Sequence, residues 1–149
     1  MNFIKSKRPG INVYAAFTTL FAIVVLQSCD TTKYVFSISP IVPAAEGLVK
    51  VKKDKNSNYN IDLDVRNLAE SKRLSPAKET YIVWMETEQN GSKNIGQLKT
   101  SSGMLSKALT SSLKTVATFK PTGFFITAEN DANIQYPDGQ TVLTTGVRQ

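Results

Sequence analysis

The sequence predicts an all-β fold, an antiparallel immunoglobulin-like β-sandwich of about seven to nine strands, on three observations. Apolar and polar residues alternate with the period of two that turns successive side chains to opposite faces of a strand. Asn, Asp, Gly and Pro punctuate the chain at short intervals from residue 30 onward, as tight turns require. Helical spacing is almost absent. The one rival stretch, 103–114, sets Met104, Ala108 and Leu109 at loose helical intervals but is diluted by serine and threonine, which favour helix interiors poorly.

Residues 34–39 alternate Tyr34, Phe36 and Ile38 with Val35, Ser37 and Ser39, and Pro40 and Pro43 end the run, as suits an edge strand. Residues 47–53 alternate Leu and Val with Lys, and 54–58 are a polar turn. Tyr59, Ile61, Leu63 and Val65 then alternate with Asn60, Asp62, Asp64 and Arg66, which predicts a half-buried antiparallel strand. Residues 66–78 form the longest connection. Tyr81-Ile82-Val83-Trp84-Met85 is unbroken apolar sequence rich in β-formers. It predicts a central strand covered on both faces, with Trp84 in the core where immunoglobulin-like domains keep a tryptophan, here without the flanking cysteines. Asn90-Gly91 suits a tight hairpin turn. A two-residue loop would oppose Glu88 and Lys93 favourably, but it also opposes Ile95 and Glu86, which leaves a longer loop open. Residues 95–98, 104–109, 115–120 and 124–129 supply further strands, Tyr136-Pro137-Asp138-Gly139 a turn, and 141–145 the closing strand.

The first 28 residues read as an export signal. Lys5, Lys7 and Arg8 precede an apolar run at 11–25, and Leu26-Gln27-Ser28 leads into Cys29, the one cysteine of the chain. The pattern resembles the lipobox of bacterial lipoproteins, in which the cysteine is lipidated and becomes the first residue of the mature chain. A spanning anchor is the alternative, but the run falls short of the roughly 20 apolar residues a membrane helix needs. One acyl chain holds a protein only marginally, so the two or more on a lipidated N-terminal cysteine are what make a stable tether. The expected organisation is a signal peptide at 1–28, a lipidated N-terminus and short tether at 29–33, and a sandwich at 34–149. That places the protein in the cell envelope, lipid-anchored and facing the periplasm or the cell surface. Asp30 after Cys29 hints at inner-membrane retention under one sorting rule.

Two wider resemblances follow from runs of residues. Tyr81-Ile82-Val83-Trp84, Asn94-Ile95-Gly96-Gln97-Leu98, Phe125-Ile126-Thr127-Ala128-Glu129 and Tyr136-Pro137-Asp138-Gly139, in that order, resemble the extracytoplasmic domain of anti-sigma-K factors over residues 80–145. The lipid-anchor signal stands where that family has a sigma-binding region and a membrane helix, so the resemblance implies the fold and not sigma-factor inhibition. The whole chain also resembles small exported lipoproteins that share its stretches at 50–55 and 125–137, a likeness that implies no activity.

Charge and chemistry narrow the function. Of 149 residues, 18 are basic and 12 acidic, but three of the basic ones lie in the signal. The mature chain would therefore carry a net charge of only +3, which argues against a nucleic-acid partner. With no histidine, the commonest general base and metal ligand is missing, and lipidation of Cys29 would remove the thiol. No Gly-x-Ser-x-Gly elbow occurs. Asp62 and Asp64 share one strand face as a pair of carboxylates, but a solvated face opposite Ile61, Leu63 and Val65 explains them more simply. No catalytic residue and no cofactor is assigned. Glu129, Asp131, Asn133 and Asp138 form a weak calcium candidate, set against a plain loop because the spacing lacks the glycine and terminal glutamate of a known motif. Lys50, Lys52, Lys53 and Lys55 suit either anionic headgroups or protection of a sheet edge. The function that fits is a membrane-anchored, non-catalytic binding module for an envelope protein or glycan. The alternatives are a structural envelope component or a carbohydrate-active or hydrolytic enzyme.

Overall fold

The computed structural model describes residues 31–102 and 109–146. Among the described residues nine strands follow one another: β1 (Thr31–Val35), β2 (Glu46–Lys53), β3 (Tyr59–Arg66), β4 (Thr80–Thr87), β5 (Gly91–Gln97), β6 (Lys99–Ser102), β7 (Leu109–Ala117), β8 (Pro121–Glu129) and β9 (Gln140–Thr144). They form two antiparallel sheets, one ordered β1-β2-β3-β7-β6 and the other β5-β4-β8-β9. With β2, β3, β7 and β6 as strands A, B, E and D, and β5, β4, β8 and β9 as C′, C, F and G, the order is that of an immunoglobulin-like sandwich with β1 added beside β2. The expected β-sandwich is present. The expected signal segment at 1–28 and Cys29 lie outside the described residues, as does most of the expected strand at 104–109. Among the described residues no helix is long and apolar enough to cross a membrane.

The core sits where alternation puts it, between the sheets. Val49 and Val51 from β2 and Ile61, Leu63 and Val65 from β3 meet Tyr81, Val83 and Met85 from β4 and Phe124, Ile126 and Ala128 from β8. The ring of Phe124 takes the edge of Tyr34 from β1 at 5.1 Å. Pairing registers run unbroken along β2–β3 and β3–β7, as expected where one face is buried and a slip would expose every apolar side chain. The sandwich is closed along one side by the end of β1. Phe36 bridges to Thr145, Ser37 N–H donates to the Thr144 carbonyl at 2.9 Å, and Gly146 N–H to that of Val35 at 3.3 Å. Ser39 Oγ then donates to the Val142 carbonyl at 2.6 Å, fastening the 36–45 loop to β9.

Several elements differ from the sequence reading. Thr31 to Lys33, expected as a tether, already pair with β2. The β4–β5 hairpin has a three-residue loop, with Thr87 opposite Gly91 and Gly91 in the left-handed region at φ 63°. Glu88 lies in that loop, so it does not oppose Lys93, whose partner is Met85. The longer loop sets Glu86 opposite Ser92 and so away from Ile95, and a bulge follows: Trp84 pairs with Asn94 and Val83 with Gly96, leaving Ile95 as the extra residue. The lysine-rich β2 is an interior strand, so its lysines do not guard an edge. Residues 109–117, partly inside the rival helical stretch, form β7.

Candidate functional site

The outer face of the four-stranded sheet carries a set of long-range side-chain hydrogen bonds. Trp84 is fully buried, but on this face and not between the sheets: its cross-strand partner is Phe125, whose ring stacks on it at 6.1 Å, while its strand neighbours Val83 and Met85 point to the core. The indole N–H donates to Thr127 Oγ1 at 2.8 Å, and Thr127 in turn donates to Glu129 Oε1 at 2.6 Å. Glu129 also accepts from the Asp138 N–H at 3.2 Å. A carboxyl group taken out of water needs such partners. Trp84, Thr127, Glu129 and Asp138 thus meet in one hydrogen-bonded chain.

That chain anchors the β8–β9 loop, residues 130–139, which does not turn back at once but runs over the sheet. Asn94 on β5 clasps it, donating through Nδ2 to the carbonyls of Ala132 and Ile134 at 3.1 and 2.9 Å while Oδ1 accepts from Gly96 N–H at 3.0 Å. The expected Tyr136–Gly139 turn is the last part of this excursion. Gly139 lies so tightly against β8 that a Cβ there would overlap the Ala128 carbonyl oxygen. Between the loop and the β4–β5 hairpin runs a groove of about 630 Å³ that includes Asn90, Asn94, Asn133, Gln135 and Tyr136. Tyr136 is 78% exposed. Backbone groups of the loop are fastened while the side chains at its crest face solvent, the arrangement that scaffolds use to present recognition loops.

Two of the calcium candidates have partners of their own in this geometry. Glu129 is buried in the chain described above, and Asp131 Oδ1 accepts from the Asn133 N–H at 2.9 Å in a local turn. Asp138 meets Glu129 through its backbone and not its carboxylate. Among the described residues no group of three or more His, Cys, Asp or Glu could hold a metal ion. Asp62 and Asp64 lie on the outer, partly solvated face of β3, opposite buried Ile61, Leu63 and Val65. Asp62 Oδ2 pairs with Lys114 on β7 at 3.4 Å, and Lys50 is its register partner on β2. Of the lysine run, Lys50 and Lys52 share this face, and Lys53 lies 6.0 Å from the Tyr59 ring centre. Asn94 is the residue that sequence reasoning missed as a contributor, since nothing distinguishes a clasping asparagine from the other asparagines before the bulge is seen.

Compared with known protein families, curated proteins and solved structures, the chain matches none. The strand order and the loop over the outer sheet are therefore the ground on which a function can be argued.

Proposed function

We propose that the protein is a lipid-anchored envelope lipoprotein whose sandwich acts as a non-catalytic interaction module, using the groove beside the 130–139 loop for an envelope protein or glycan. The single observation that carries the recognition role is that loop: ten residues fixed by Asn94 and Glu129, with Asn133, Gln135 and Tyr136 left at the surface. Amides and an exposed ring are the groups with which loops bind polar surfaces, since they offer area and adaptable hydrogen bonds at low entropic cost. The anchoring role rests on Leu26-Gln27-Ser28-Cys29 and its apolar run. The buried carboxyl of Glu129 is occupied by Thr127 and Asp138, and Asp62 pairs through Oδ2 with Lys114.

Cross-linking and pull-down from the protein's own membranes, with wild type and Tyr136→Ala, test the groove. The variant is expected to lose the partner while keeping its membrane fraction and its melting temperature. A partner held equally by both would sink the groove assignment, and a Cys29→Ser chain still recovered with membranes would sink the lipid anchor.

A further inference from the structure

The path by which the chain enters the sandwich sets its orientation. Cys29 precedes Thr31 by two residues, so it lies within about 7 Å of the start of β1. Thr31 pairs with Lys52, Lys53 with Tyr59, and Tyr59 with Ala117, which places the 54–58 and 118–120 turns at the same end as the anchor. Lys52, Lys53, Lys55 and Lys120 are exposed there, and two apolar side chains stand among them, Phe119 at 45% and Val116 at 59% exposure. The one carboxylate within the 54–58 turn, Asp54, caps that turn, accepting from the backbone N–H groups of Asn56 and Asn58 at 2.8 and 2.9 Å.

Charge is divided accordingly. Cut across the midpoints of the strands, the anchor-side half holds eight lysines against four carboxylates. The far half holds four cations, Arg66, Lys72, Arg73 and Lys78, against seven carboxylates, among the described residues and with β6 left aside. Basic side chains with an interleaved aromatic suit an anionic bilayer, the lysines at the phosphates and the ring at the headgroup boundary. We infer that this end lies flat against an anionic membrane, with Lys53, Lys55 and Lys120 on the headgroups and Phe119 in the interface. The inference rests on the lipid-anchor reading of Cys29.

Full-length chain, processed and acylated, would be reconstituted in vesicles of zwitterionic lipid and of zwitterionic lipid mixed with phosphatidylglycerol. Spin labels would be placed singly on Phe119→Cys and, at the far end, on Ala77→Cys. In the anionic vesicles the label at 119 should be shielded from a water-soluble relaxant and reached by oxygen, whereas the label at 77 should stay aqueous. Replacing Lys53, Lys55 and Lys120 with glutamine should return the label at 119 to water, since each lysine near such a surface shifts its partitioning by about fivefold. A label at 119 as wet as that at 77, on chains whose Cys29 acylation mass spectrometry confirms, would overturn this inference alone. An unacylated Cys29 would overturn the anchor reading and the inference together.

Discussion

Trp84 shows how a residue can be buried as expected and still occupy an unexpected place. It stacks on Phe125 and hydrogen-bonds to Thr127 on the outer face of its sheet, so its loss would leave a void beneath the loop and not between the sheets. Trp84→Ala should cost about 3–5 kcal/mol, a large share of the roughly 5–15 kcal/mol that holds a domain together. Urea unfolding would measure it; a cost under about 1 kcal/mol would contradict the burial described. Tyr81 offers a second test at this scale. Burial pushes its hydroxyl up to about 12, and the hydroxyl donates to the Ala69 carbonyl at 2.8 Å. The folded state keeps its proton while the unfolded chain releases it near 10, so this stabilisation is complete below pH 10 and is lost as the pH rises toward 12. Thermal melts should fall across that window, and Tyr81→Phe should fall less steeply. Parallel slopes for the two proteins would refute the assignment.

At the scale of the elements, the 130–139 loop depends on one close approach and one clasp. Gly139→Ala sets a methyl group against the Ala128 carbonyl and within 2.7 Å of Glu129 Oε2. β8 or the loop must give way, and the change should cost more than about 2 kcal/mol, beyond the usual range for a surface substitution. A melting temperature within a degree of wild type would show that the approach is looser than described. Asn94→Ala removes both bonds to the loop, together with the bond that Asn94 Oδ1 accepts from Gly96 N–H within β5. Hydrogen exchange at 131–136 should then quicken severalfold while β3 and β7 stay protected, and unchanged exchange would mean that the clasp carries little.

Strands whose two faces differ were legible in the sequence, because Ile61, Leu63 and Val65 against Asp62 and Asp64 leave one way to sit on a core. The loop was not legible. Asn133, Gln135 and Tyr136 have the composition of any turn, and only the Asn94 clasp and the buried Glu129 reveal that the segment lies along a sheet. The face on which Trp84 sits was equally hidden, because a strand apolar on both sides has no alternation to orient it. At the candidate site the sequence marked Glu129 and Asp138, but as oxygen donors for a metal. Their joint role in holding the loop depends on a backbone N–H that no side-chain pattern records.

On the scale of the whole molecule, the end of β1 determines how the sandwich bears load. β1 pairs with β2 along its length, and just beyond it Phe36, Ser37 and Gly146 join the chain to β9. A protein held at Cys29 and drawn from the opposite end of the sandwich would feel tension along the axis of this strand. Its rungs would then be strained side by side in shear and would have to fail together. Pulled crosswise from the middle of β1, they would instead unzip one by one. Stretched singly from the N-terminus against a handle on the far loops, the domain should yield at a markedly higher force than when gripped across the sheet. Equal rupture forces in the two directions would show that this seam bears no special share of the load. Such a seam would keep the domain folded while its two ends are drawn apart.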